Sequence, residues 1–165
     1  MKKNQIIDQI NKILPDSIDK HTEFRDELQV YVKKKFFTEL MDLLRNEKTF
    51  HYDLLLDVTG IDLLPKKPRF ELVYVLFSLK HNMRLIIKLR VDENESIPSV
   101  SGIWNAANWA EREVFDLLGI EFSGHPDLRR ILTWNNFEGH PLRKDFPLRG
   151  KDFDKKFDPD TIKVY

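Results

Sequence analysis

Cysteine is absent from all 165 residues, which removes a disulfide framework, a thiol nucleophile, and cysteine ligation of zinc or an iron–sulfur cluster. Net charge is absent too: Lys plus Arg and Asp plus Glu number 27 each. No overall field therefore steers the chain toward nucleic acid or anionic lipid, and any charged partner must be met by a local patch. No apolar run approaches the roughly 20 residues that span a bilayer. The opening Met1-Lys2-Lys3-Asn4-Gln5-Ile6-Ile7-Asp8 meets an acid too soon for a secretory leader, so neither secretion nor insertion is expected. Also missing are a phosphate-cradling glycine loop, a Gly-x-Ser-x-Gly elbow and a dinucleotide fingerprint, which leaves a free-standing enzyme without support.

What is present reads as one domain and a tail. Ile6, Ile7, Ile10, Ile13 and Leu14 recur at helical spacing until Pro15, giving a helix over 4–14. Leu28, Val30 and Val32 alternate as a strand does, and Phe36, Phe37, Leu40, Leu43 and Leu44 return to helical spacing. Three β-rich runs follow at Tyr52–Thr59, Phe70–Leu79 and Arg84–Val91, the last two joined as an antiparallel hairpin through Lys80-His81-Asn82-Met83. A helix over 101–118 is predicted, with Ser99 or Ser101 as its cap and Gly119 as its left-handed stop. The class is α+β: a small mixed or antiparallel sheet covered by helices over 1–122, with an extended C-terminal tail over 123–165.

The 101–118 helix has two unlike faces. Ile103, Ala107, Ala110, Val114 and Leu117 form an apolar stripe, while Asn105, Trp109, Arg112 and Asp116 gather opposite. Spacing lets Arg112 pair with Asp116 and stack on Trp109; a solvated face carrying an incidental tryptophan is the plainer reading. Glu111-Arg112-Glu113 supplies a general base only if burial raises a carboxyl pKa, and on a helix it is more often an ion-pairing face.

Beyond Gly119 the punctuation thickens, and the longest helical candidate is the turn or two of Asp127–Leu132. Gly-His-Pro occurs at 124–126 and 139–141, followed by Arg129 and Arg130, then by Arg143 and Lys144. His125 and His140 lack companions at metal-ligand spacing, so a turn histidine bonded to backbone is expected over zinc. Trp134, Phe137, Phe146, Phe153, Phe157 and Tyr165 are poor ingredients for disorder, and aromatics beside arginine are what buried interfaces favour. The tail is therefore expected to lie along another protein. A phosphate-contacting nucleic-acid module is a lower-ranked alternative on the same cations.

Three blocks carry a resemblance: Ala107-Asn108-Trp109-x-Glu111-Arg112-Glu113-x-Phe115-Asp116-Leu117-x-Gly119-Ile120, Gly-His-Pro-Asp-Leu-Arg-Arg-Ile-Leu at 124–132, and Gly-His-Pro-Leu-Arg-Lys-Asp-Phe-Pro-Leu at 139–148. Asp53-Leu54-Leu55-Leu56-Asp57-Val58-Thr59-Gly60-Ile61-Asp62 also fits. The sequence resembles the C-type subunit of NADH-quinone oxidoreductase, the thirty-kilodalton subunit family of respiratory complex I. Ala110 and Leu118 depart mildly from the family pattern, and the segment after Gly150 is poorly matched. The resemblance implies a cofactor-free subunit in the peripheral arm of a proton-translocating NADH:quinone oxidoreductase. It implies that FMN, iron–sulfur clusters, NADH and quinone reside in partner subunits: chiefly the large quinone-site subunit (D type), with iron–sulfur subunits of B and I types. It also implies a place on the cytoplasmic side of the membrane, reached only through the complex, in a bacterial reading without a transit peptide. Trp109, Glu111, Arg112, Glu113, His125, Arg129, Arg130, His140, Arg143 and Lys144 become signature or partner-contact positions, with no catalytic, cofactor or metal residue. A homologous subunit of a membrane-bound hydrogenase, or of a complex fed by another donor, is the alternative.

Overall fold

Leu28, Val30 and Val32 point inward along β2 (Glu27–Val32) of the computed structural model, which describes residues 3–150. Across the sheet Val30 stands beside Ile87 of β5 (Met83–Val91), Ile87 beside Tyr74 of β4 (Phe70–Ser78), and Tyr74 beside Val58 of β3 (Leu54–Asp62). All four side chains are buried. This row is one layer of the core; burying each such side chain stabilises by about 1.5–3 kcal/mol. With β1 (Ile18–Phe24) at one edge, the strand order is β1-β2-β5-β4-β3, with the β2–β5 contact parallel and the other three antiparallel. The expected mixed sheet is therefore present, and β4 and β5 form the expected hairpin.

Helix α1 (Lys3–Ile13) contributes Ile6, Ile7 and Ile10 to the core, and α2 (Phe37–Asn46) contributes Phe37, Leu40, Met41 and Leu44. A 3-10 turn at Lys34–Phe36 leads into α2, and the Phe37 ring tilts over Tyr74 with centroids 5.1 Å apart.

The first strand, β1 (Ile18–Phe24), is an element that the sequence pattern did not announce. Its side chains are exposed apart from Ile18, so no alternation of hydrophobicity marks it. The strand exists because Arg25 and Asp26 both adopt positive φ, 49° and 70°, as a two-residue hairpin turn requires. That turn pairs Ile18–Phe24 with β2, and Lys3 bonds Glu23 and Asp26 beside it.

Strand β6 (Ser96–Pro98) and β7 (Glu121–Ser123) form a second, parallel pair in which Ile97 meets Phe122, both buried. Between them runs α3 (Ala107–Leu118), shorter than the expected 101–118. Neither Ser99 nor Ser101 caps it. Residues 101–106 are taken up by turns, including Ile103 and Trp104 amides bonded to the Val100 carbonyl, and Trp104 Nε1 donates to the buried Tyr52 carbonyl at 3.1 Å. Gly119 closes the helix as expected, with φ 72°. Close packing of α3 on β3 depends on Gly60, where any side chain would collide with Leu118.

Residues 124–150 contain neither helix nor strand. The helical turn expected over 127–132 does not form, because the backbone N–H groups of Ile131 and Leu132 are drawn to a side chain of α3. Phe153, Phe157 and Tyr165, expected to join the tail's contacts, lie outside the described residues.

Candidate partner-contact surface around α3

Helix α3 carries two buried acids on different faces: Glu111 in line with Ala107, Val114 and Leu118, which pack toward the sheet, and Asp116 on the side turned away. Both are inaccessible to solvent, and the burial of Asp116 corrects the picture of a wholly solvated polar face. Glu111 reaches back to the end of β6: its Oε1 accepts from the Val100 amide at 2.8 Å and its Oε2 from the Ser99 hydroxyl at 2.5 Å. Burial pushes its carboxyl up, and these two bonds offset only part of that effect.

Asp116 is the centre of the arrangement. Oδ2 accepts from the amides of Ile131, Leu132 and Thr133 at 3.0, 2.8 and 2.8 Å. Oδ1 accepts from the Thr133 hydroxyl at 2.5 Å and from Arg130 Nη1 at 2.7 Å. Burial alone would push this carboxyl up, but the bonds from Thr133, Leu132 and Arg130 outweigh it and hold the group down at about 2. Asp116 pairs with Arg130 rather than Arg112, because Arg112 is drawn to the carbonyls of Arg129 and Arg130, each at 3.1 Å. Those bonds also replace the expected stack of Arg112 on Trp109.

The end of a helix leaves four carbonyls without intrahelical partners. Here the returning segment supplies donors: His140 Nδ1 to Asp116 O at 2.8 Å, the Leu142 amide to Leu117 O at 3.0 Å, and Arg143 Nε to Leu118 O at 2.6 Å. The arginine also complements the negative end of the helix dipole. Because His140 donates from Nδ1, the neutral ring keeps its lone pair on Nε2. Burial, with Arg143 and Arg130 adding to it, pushes the pKa of His140 down. The two Gly-His-Pro turns thus do different work. His125 accepts from the Asp127 amide at Nδ1 and donates from Nε2 to Asn108 O near the helix start, both at 3.0 Å. Both histidines bond backbone, as their turn positions suggested.

A second anchor lies where β3 ends. Arg69, almost wholly buried, binds Asp62 Oδ2 at 2.9 Å, Glu93 at 2.9 Å and Asp145 at 2.6 Å. Asp62 also accepts from the Lys144 amide at 2.9 Å. Burial raises the Asp62 carboxyl, but Arg69 and the Leu64 and Lys144 amides bring it to about 2. The Lys144 ammonium donates to Leu64 O, and Arg143 Nη1 to Glu93.

The signature residues therefore divide. Glu111, Arg112, Arg130, Arg143, His125 and His140 are bonded within the chain, and Lys144 is exposed but tethered to Leu64. Glu113 is exposed, the Arg129 guanidinium bonds its neighbour Asp127 at the surface, and Trp109 is 71% exposed. Leu132, Trp134, Leu142 and Leu148 are exposed as well. Asp116, Asp62, Arg69, Glu93, Asp145 and Thr133, which build the anchors, were not singled out from the sequence as site residues. Among the described residues no group of three or more His, Asp or Glu side chains is arranged to hold a metal.

The family model of the 30-kDa subunit of respiratory-chain NADH dehydrogenase matches residues 30–152. The chain belongs to that family. The C-type subunit of NADH-quinone oxidoreductase from Roseiflexus sp. (strain RS-1) is 42% identical over 158 residues, covering 95% of this chain and 91% of its own length. Its namesake in Geotalea uraniireducens is 45% identical over 150 residues, 90% of each chain. A solved trypsin-resistant fragment of Nqo5 superposes with a TM-score of 0.64 at 30% identity, over 78% of this chain and all of that one. The resemblance read from residues 107–148 is borne out, and the chain is a subunit of an NADH-quinone oxidoreductase, of the respiratory complex I type. No helix among the described residues is long and apolar enough to cross a membrane.

Proposed function

We propose that the chain is a scaffold subunit of the peripheral arm. Its α3 and residues 124–150 form one preassembled surface against the large quinone-site subunit of D type, with iron–sulfur subunits of B and I types as further neighbours. It holds no cofactor and no self-contained active site; FMN, the clusters, NADH and quinone belong to the companions, and the assembled enzyme translocates protons. The chain sits on the cytoplasmic side of the membrane and meets it only through the complex. The observation that carries this reading is the contrast within residues 107–150. Asp116 and Arg69 hold an irregular segment in place from inside, while Trp109, Leu132, Trp134, Leu142 and Leu148 stay outside. Exposed tryptophans on a rigid support are what a buried interface centre uses, and the leucines beside them add apolar area around it.

Trp109→Ala tests it. A tryptophan desolvated at an interface contributes about 2–4 kcal/mol to binding, whereas an exposed one adds little to the fold. Assembled complex and membrane NADH:quinone activity are expected to fall together while the isolated variant melts as the parent does. Normal assembly with lost turnover would point to direct chemistry, and wild-type levels of both would remove Trp109 from the interface.

A further inference from the structure

Beside the second Gly-His-Pro turn, Gly139, His140, Arg143, Asp145 and Phe146 border a surface cavity of about 170 Å³. A water molecule's share of the liquid is about 30 Å³, so the space suits a small polar head group with a few waters. The positive charges near it already have partners. Arg143 gives Nε to Leu118 O and Nη1 to Glu93, Arg69 is divided among Asp62, Glu93 and Asp145, and Arg130 is held by Asp116 and the Gly139 carbonyl. What the wall has left to offer is a carboxylate and a ring. His140 is kept neutral, bonding Asp116 O through Nδ1 and packing its Nε2 edge over Gly119. Asp145 gives one oxygen to Arg69, and its side chain is 53% exposed. Phe146, stacked on Phe137 with centroids 5.7 Å apart, adds a ring, whose negative face attracts cations.

We propose that this cavity receives a cationic donor side chain, a guanidinium or ammonium group carried by a neighbouring chain. An anion entering it would meet a carboxylate, with the three adjacent guanidiniums already bonded. A guanidinium meets the carboxylate and an aromatic ring, and planar guanidinium forks suit carboxylates well. The inference rests on the reading of residues 107–150 as a partner surface and names what the partner brings to it.

The test is a titration of methylguanidinium chloride into the full chain, at concentrations far below denaturing ones, following the imidazole nitrogen shifts of His140 and the ring protons of Phe146. A saturable shift is expected, weakened at least tenfold by Asp145→Asn and by Phe146→Leu, with none produced by sodium acetate. Phe146→Leu leaves the Asp145–Arg69 pair in place, so it answers even where Asp145→Asn loosens the segment. Saturation by acetate, a methylguanidinium response that survives both substitutions, or no saturable response would each overturn the proposal. None of these outcomes depends on complex assembly. A cavity that fails beside Trp109-dependent assembly sinks this inference alone, and a cavity that binds beside Trp109-independent assembly sinks the other reading alone.

Discussion

Replacing Asp116 with asparagine exchanges one carboxylate oxygen for an amide and changes almost nothing in shape. Whichever way the amide turns, its N–H groups face donors: the Ile131, Leu132 and Thr133 amides on one side, or Arg130 and Thr133 on the other. Two or three buried charge-assisted bonds are lost, and the Arg130 guanidinium loses its counter-charge. The cost is about 3–5 kcal/mol, set against the roughly 5–15 kcal/mol that typically stabilises a domain. The loss falls first on the segment over α3, because the strand core does not run through this carboxylate. In amide hydrogen exchange Asp116→Asn should strip protection from Ile131, Leu132 and Thr133 while Leu72, Tyr74, Leu85 and Ile87 keep theirs. Lowering the pH of the parent protein should do the same reversibly. The carboxyl is depressed from 3.8 to about 2 in the folded state, so its contribution of about 2 kcal/mol is present above the unfolded value and is lost as pH falls through about 2. Asp62 titrates downward over the same window, loosening the second anchor together with the first. Unchanged protection of residues 131–133 in the variant, with urea stability within about 1 kcal/mol of the parent, would refute the account of Asp116 as the clamp.

Other substitutions probe the neighbouring parts. Gly119→Ala places a methyl group at a φ of 72°, 2.5 Å from the His140 ring and 2.6 Å from the Arg143 guanidinium; a loss of about 2 kcal/mol and reduced protection of the Leu142 amide are expected, and an unaltered melt would contradict it. For Glu111→Gln the sign is the reverse of Asp116. Burial raises its carboxyl, so the ionised group detracts from stability as pH rises above the unfolded value, and glutamine should match or exceed the parent in urea melts at neutral pH. Glu111→Ala, which abandons the Val100 amide, should cost about 2–3 kcal/mol; a glutamine variant as unstable as the alanine one would argue that the charge itself is needed.

The sheet was legible because burial there follows a period of two. Leu28, Val30, Val32 and the β4 and β5 runs alternate or saturate with apolar side chains, and a stripe at helical spacing exposed α1 and α2 in the same way. Strand β1 escaped because a hairpin partner needs a turn and backbone pairing but no apolar face. The three-residue strands β6 and β7 are too short to show any period. For α3, residue type sorted the helix into an apolar and a polar side, and the apolar side does meet β3. What the helical period cannot convey is that a segment 15–17 residues further along the chain returns to cover the other side. Asp116 then becomes a buried acceptor for backbone amides, a role its neighbours Phe115 and Leu117 do nothing to advertise. The two Gly-His-Pro turns with their trailing cations were visible at once, yet much of that basic charge serves the helix end from within.

The anchors of residues 124–150 also fix an order of rupture. Tension applied at residue 150 reaches Asp145 and Lys144 on Arg69 and Asp62 first, then Arg143 and His140 on the end of α3, and only afterwards the cluster on Asp116. These links lie in series, so each opens with a small extension and none shares the load of the next. A chain pulled from that point peels like adhesive tape: the load enters the sheet through Asp62 and Arg69 while the first anchor holds, and passes to α3 once it opens.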